Sequence, residues 1–180
     1  AAWTLLIPLR GLVLSPRTLI KRCDLQEQTK KSTVLEIGCG PGYFSREIAR
    51  TIAPAGGTLL LVDIQQEMLD IATERLTKSN LSNFECYCGD ARSLPFNAES
   101  VDVCSLVEVL GEVEEREACL AEIYRVLRPG GLLSISEMLG DPDRLDKESV
   151  SLLTSGVGFQ HERTIDGFLH YTFNARKPIG

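Results

Sequence analysis

With 180 residues, 43% of them hydrophobic, the chain has the length of one domain and can bury about 70% of its unfolded surface in a single core without staples. A formal charge of −6 argues against a partner gripped by phosphate neutralisation, so no nucleic acid is expected and a small molecule or a protein is favoured. The six cysteines, Cys23, Cys39, Cys86, Cys88, Cys104 and Cys119, form no C-x-x-C pair and mostly lie in apolar runs, which disfavours zinc and a disulfide framework and suits reduced thiols in a cytoplasmic core.

The opening AAWTLLIPLRGLVLSPRTLI is interrupted by Arg10, Gly11 and Arg17. It falls short of the roughly 18–20 apolar residues of a membrane span and lacks the charged start and cleavage site of a signal peptide. Residues 1–30 are expected to form an N-terminal helical segment with three readings. It packs on the sheet, it closes a pocket as a lid with Trp3 and Pro8, or it lies on a membrane surface through Arg10, Arg17, Lys21 and Arg22 beside its leucines and isoleucines. Residues 31–180 read as the core of the same single domain, since no repeat, low-complexity tract or linker divides the chain.

Beyond it, apolar runs of strand length alternate with amphipathic stretches. Strands are predicted at Thr33–Ile37, Thr58–Asp63, Asn83–Cys88, Val101–Leu106 and Gly131–Ser136, and their continuous hydrophobicity suits a parallel sheet covered on both faces. Helices are predicted at Gly42–Ile52, Glu67–Thr77 and Glu114–Leu127. Ile48, Ala49 and Ile52, then Leu69, Ala72 and Leu76, then Leu120, Ile123 and Leu127 form their inner stripes, and RPGG stops the third. GDARSLPFNAES is too short and proline-broken for a helix and is predicted as a loop. After Ser155, runs near Gln160–Ile165 and Leu169–Ala175 flank a DG turn, a hairpin signal.

The stretch VLEIGCGPGYFS carries the chemistry. A strand, a turn with Gly38, Gly40 and Gly42, and a helix bring backbone N–H groups to the carboxyl edge of an open sheet, where such folds bind ligands. A dinucleotide site of the G-x-G-x-x-G type would need glycine at position 43, which holds Tyr43, and Glu36 beside the turn would repel a pyrophosphate. The same acid would hold an ammonium group by a charge-assisted hydrogen bond. That combination favours a ligand carrying an amino acid.

VLEIGCGPG resembles motif I of the class I S-adenosylmethionine-dependent methyltransferases, of the small-molecule, type 11-like kind. The likeness runs on through LLLVD, GDARSLPF, VDVCSLVEVL and EIYRVLRPGGLLSISE, roughly residues 34–137. It implies an α/β, Rossmann-like three-layer sandwich with a seven-stranded, mostly parallel sheet of order 3-2-1-4-5-7-6, strand 7 antiparallel. It implies S-adenosylmethionine as cofactor and S-adenosylhomocysteine as product, no metal, and a cofactor held by Glu36, Gly38, Cys39, Gly40, Gly42 and Tyr43 around the turn. Asp63, 21 residues after Gly42, resembles the acid that binds the ribose hydroxyls, with Ile64 beside it. Asp90 corresponds to the residue facing the adenine amino group, Ala91 offers its backbone, and Leu106 and Val107 lie at the fourth-strand tip.

The sulfonium is already activated, so positioning of the acceptor in line with the methyl can supply about 7–11 kcal/mol without a dedicated base. The tip of the fourth strand lacks the proline-proline-aromatic tetrad of amino-methylating DNA enzymes. Glu108 and Glu112 are the candidates for accepting a proton, against the plainer reading of solvated acids at a helix start. Cys86 and Cys88 share one strand face and are expected in the core rather than as a soft-metal or arsenic site. His161 and His170 are expected far from the methyl, while EMLGDPDRLD, with Asp141 and Asp143, is expected on the substrate side. The expected function is methylation of an unidentified small molecule, with an apolar acceptor and peripheral membrane contact left open. The rivals are a catalytically silent binding or scaffold protein and an NAD-dependent oxidoreductase.

Overall fold

The computed structural model describes residues 14–26 and 30–180; Trp3, Pro8, Arg10 and the rest of 1–13 and 27–29 lie outside the described residues. In chain order come α1 (Pro16–Arg22), β1 (Thr33–Ile37), α2 (Ser45–Ile52), β2 (Thr58–Asp63), α3 (Gln66–Lys78), β3 (Phe84–Cys88) and β4 (Val101–Val107). A short 3-10 turn at Leu110–Glu112 leads to α4 (Arg116–Val126), β5 (Leu127–Met138), α5 (Lys147–Val157), β6 (Gln160–Gly167) and β7 (His170–Arg176).

The seven strands form one sheet in the order β3-β2-β1-β4-β5-β7-β6, parallel except for β7, which runs antiparallel to both β5 and β6. Strand parity divides the core in two. Val34, Leu59, Leu61, Val103 and Leu132 face α1, α2 and α3 together with Leu19, Ile48, Ile52, Leu69 and Leu76. Leu35, Leu60, Leu106, Leu133, Ile135 and Phe173 face α4 and α5 with Leu120, Ile123 and Val150. Both faces are covered, as continuous rather than alternating hydrophobicity requires.

Three expectations are corrected. The third helix does stop at Val126, just before RPGG, but the strand predicted from Gly131 begins earlier: β5 starts at Leu127, which pairs with Val101, and the register shifts before Val103 meets Leu132, with Gly130 at φ +78° absorbing the irregularity. Helix α5 is an addition. Its ends are set by local chemistry: the Asp146 carboxylate accepts the Ser149 N–H at 2.7 Å, and Gly158 caps the far end at φ +112°. Cys86 and Cys88 share a face, but neither is in the core. Strand β3 is the sheet edge, so Cys86 is half-buried against Thr73 and Cys88 is exposed; the other four thiols are buried. Among the described residues no helix is long and apolar enough to cross a membrane.

Candidate functional site

The site lies at the carboxyl edge of β1, β2 and β4, where the chain order reverses across the sheet. The turn after β1 is wound through three left-handed glycines, Gly38, Gly40 and Gly42, at φ +66°, +51° and +74°, a region that a Cβ makes costly. Their surroundings differ. A Cβ on Gly42 would sit 3.0 Å from the Ala72 backbone and side chain, and one on Gly38 would sit 2.4 Å from the Val109 Cγ2. Gly42 therefore serves the close approach of α3, and Gly38 the approach of the segment after β4. Gly40 meets nothing within 4 Å and faces open space.

The acids at the ends of β1 and β2 hold this turn. Asp63 is 8% exposed; its Oδ2 accepts the Gly40 N–H and its Oδ1 the Gln65 N–H, both at 2.9 Å. Glu36 is 3% exposed and accepts a 2.6 Å hydrogen bond from the Ser45 hydroxyl at the start of α2. Burial pushes its carboxyl up to about 8, and the neighbouring Asp63 adds to the shift. Glu36 also begins a row of buried polar residues in register, Glu36, Ser105, Ser134 and Asn174 on β1, β4, β5 and β7. A carboxyl kept out of water with one hydroxyl partner is poised to accept a cationic donor.

Around the turn, Cys39 is buried, burial pushing its thiol up, and Tyr43 packs edge-on against Phe44 with centroids 4.9 Å apart. Ile64, 71% exposed, stands at the rim above Asp63. Asp90 and Ala91 follow β3 on the loop that Phe96 ties down by an edge contact with Tyr87 at 4.8 Å. The Gly89 N–H donates to the Asp63 carbonyl at 3.0 Å, so that loop meets the end of β2. Leu106 is sealed in the core on the α4 side, and Val107 is buried on the opposite face.

Glu108 follows β4 at φ +55°, its N–H donating to the Ser136 carbonyl at 2.9 Å, and Glu112 is exposed at the end of the 3-10 turn. His161 stands opposite Ala175 at the amino edge of β5, away from the site. His170 is opposite Met138 at the carboxyl edge, the same edge as the glycine turn, unlike His161. Loop 139–146 closes the same edge. The Tyr171 hydroxyl donates to the Leu145 carbonyl at 2.6 Å, and Gly111 packs so closely on Asp143 that a Cβ would lie 1.9 Å from its carbonyl oxygen.

Three participants were not legible in the sequence. Ser45 meets Glu36, and Arg92 meets Asp90. The third, Glu137, is 1% exposed; it accepts the Leu145 N–H at 3.3 Å and is pushed up to about 7 by burial, with Asp141 and Glu108 adding to the shift. It opens the EMLGDPDRLD stretch expected on the substrate side, but its burial and its bond to Leu145 come only from the fold.

A sequence profile described as a methyltransferase domain matches residues 35–135, the span from β1 to β5 that carries this turn and both acids. The chain belongs to that family. The chain is 35% identical over 104 residues to a demethylmenaquinone methyltransferase of Lactobacillus johnsonii, covering 57% of this chain and 42% of that protein. It is 32% identical over 130 residues to an arsenite methyltransferase of Halobacterium salinarum, covering 69% and 33%. It thus spans less than half the length of these curated relatives. Among solved structures, a SAM-dependent methyltransferase from Aquifex aeolicus superposes with TM-score 0.84 at 23% identity over 94% of this chain and 93% of that one. The [4+2]-cyclase SpnF superposes with TM-score 0.80 at 20% identity, over 92% and 82%. At those identities the structures share the fold.

The cofactor of the family is S-adenosylmethionine, and the residues fit it: a buried carboxyl that accepts a hydrogen bond from the Ser45 hydroxyl, an open backbone at Gly40, and an acid at the end of the neighbouring strand.

Proposed function

We propose that the protein is an S-adenosylmethionine-dependent methyltransferase that acts on a small molecule. The observation that carries this reading is the pair of buried acids, Glu36 and Asp63, set on either side of a turn wound through three left-handed glycines. Glu36 takes the amino group of the cofactor's methionine part, while Gly38, Cys39 and Gly40 offer backbone beside it. Asp63 takes the ribose hydroxyls while it keeps the Gly40 N–H in place. Ile64 covers one side of the adenine, Asp90 and Ala91 read its edge, and Tyr43 and Val107 shape the walls, with Leu106 behind them in the core.

When bound, the cofactor supplies an activated methyl group, so the chain's own task is to bind, orient and exclude water. Loop 139–146, the Leu110–Glu112 turn and the start of β7 bound the acceptor side. Glu108 is the acid placed there to take a proton, with Glu112 at the exposed end of the same segment. Leu139, Phe168 and Leu169 are exposed at that edge, with the Leu139 N–H donating to the Leu169 carbonyl at 2.7 Å. That apolar rim supports an acceptor with an apolar surface. The relatives named for demethylmenaquinone and arsenite support a small one.

The test is transfer of labelled methyl from S-adenosylmethionine to a panel of small phenols, quinols, thiols, amines and arsenite. The account expects label on one class and matching S-adenosylhomocysteine release. Tight cofactor binding with no transfer to any class would instead favour the silent binding protein.

A further inference from the structure

Asp90 is engaged through both oxygens by one residue, Arg92. Its Oδ1 accepts the Arg92 backbone N–H at 2.8 Å and Nε at 3.0 Å, and its Oδ2 accepts Nε at 2.9 Å and Nη2 at 2.6 Å. These contacts use three hydrogens, the single Nε–H being shared between the two oxygens, against about four lone-pair sites. An adenine amino group arriving on the guanidinium's side therefore competes with it for Oδ2. The backbone bond is local and holds the Asp90 carboxylate whatever the Arg92 side chain does. The guanidinium bonds are the ones that can be given up.

A second berth for the guanidinium is in place. Arg92 Nη1 donates to Glu115 Oε1 at 2.7 Å, and Glu114 adds to the negative field around it. Glu115 is the residue before α4, and all three side chains of the Asp90–Arg92–Glu115 chain are partly exposed. Rotation about the Arg92 side chain would release Asp90 Oδ2 while keeping a charge-assisted pair with Glu115. In the GDA..LPF pattern that the segment resembles, positions 92 and 93 are unspecified, so Arg92 is a feature of this chain.

We propose that Arg92 is a displaceable stand-in for the adenine amino group: it occupies Asp90 in the free protein and yields to the cofactor by moving onto Glu115, so that Arg92 and Glu115 tune discrimination between purines. This inference rests on the reading that Asp90 faces the adenine edge. A 6-amino purine presents a donor to Asp90, whereas a 6-oxo purine presents an acceptor that prefers Arg92 left where it is. Arg92 therefore narrows the preference for adenine that Asp90 alone would give.

The experiment compares the affinities of S-adenosylhomocysteine and S-inosylhomocysteine for the full chain and for Asp90→Ala, Arg92→Met and Glu115→Gln. Arg92→Met should tighten the adenosyl ligand, weaken the inosyl ligand, and raise their ratio roughly tenfold, the worth of one hydrogen bond to a charged group. Glu115→Gln should lower the ratio by removing the charge that draws the guanidinium away. Asp90→Ala should bring the ratio close to one. An Arg92→Met ratio equal to the unmodified protein's, with Asp90→Ala still collapsing it, overturns the role of Arg92 alone. A ratio unmoved by Asp90→Ala overturns the adenine reading of Asp90 and this inference with it.

Discussion

Binding of S-adenosylhomocysteine should expel a proton from Glu36. The carboxyl is 3% exposed, has the Ser45 hydroxyl as its partner, and titrates at about 8 in the free protein. At pH 7 such a group is about nine-tenths protonated; an ammonium group placed against it favours the ionised form. Binding at pH 7 therefore releases about 0.9 proton, and affinity weakens about fifty-fold between pH 8 and pH 6 as the ligand competes with the proton. Calorimetric titrations at one pH in phosphate and in Tris, whose ionisation enthalpies differ, read the proton count directly. Glu36→Gln should abolish the release and weaken binding. An enthalpy independent of buffer at pH 7, or an affinity flat from pH 6 to 8, would refute the placement of an ammonium at Glu36.

The same burial has a cost to the free protein. Glu36 and Glu137 titrate at about 8 and about 7 in the fold against an ordinary 4.5. The folded state therefore holds more protons than the unfolded one across that window, and stability falls as pH rises through it. Glu36→Gln, which keeps an acceptor for Ser45, should stabilise the ligand-free protein at pH 8 by on the order of 4 kcal/mol and leave it little changed at pH 4.5, measured by urea unfolding. Gly42→Ala combines a left-handed φ with a Cβ 3.0 Å from Ala72 and should cost about 2–3 kcal/mol, lowering the Tm by roughly 5–10 °C in a chain of this size. Gly40→Ala meets open space and should cost only about 1–2 kcal/mol of stability while losing more cofactor affinity than Gly42→Ala does, read by melting with and without S-adenosylhomocysteine.

Much of this architecture is legible in the residues because local and global signals agree. TVLEI and TLLLVD are mostly apolar runs with an acid at or next to the last position, and β1 and β2 occupy the predicted residues. Helix α2 starts at Ser45 rather than Gly42 because the three glycines are spent on the turn. Helix α5 is not legible from periodicity because KESVSLLTSGV is mixed in polarity and buries only Val150 and Thr154; its caps, Asp146 and Gly158, are the signal the sequence carries. Parity puts Cys86 and Cys88 on one face, but only the strand order reveals that β3 is an edge, where Cys86 is half covered and Cys88 is exposed. The site's acids stand at strand ends in a recognisable pattern. Their partners do not, since Ser45 reaches Glu36 across the turn and Glu115 reaches Arg92 across 23 residues, contacts that only the fold creates.

The central claim is that Glu36, the glycine turn and Asp63 form an S-adenosylmethionine site. The most direct test is calorimetric titration of the purified chain and its Asp63→Ala variant with S-adenosylhomocysteine, with NAD in the same buffer. The account predicts saturable binding of S-adenosylhomocysteine alone, weakened at least tenfold by Asp63→Ala as the Gly40 anchor and a ribose partner are lost together. Binding of NAD in its place, or an affinity for S-adenosylhomocysteine indifferent to Asp63, would contradict it.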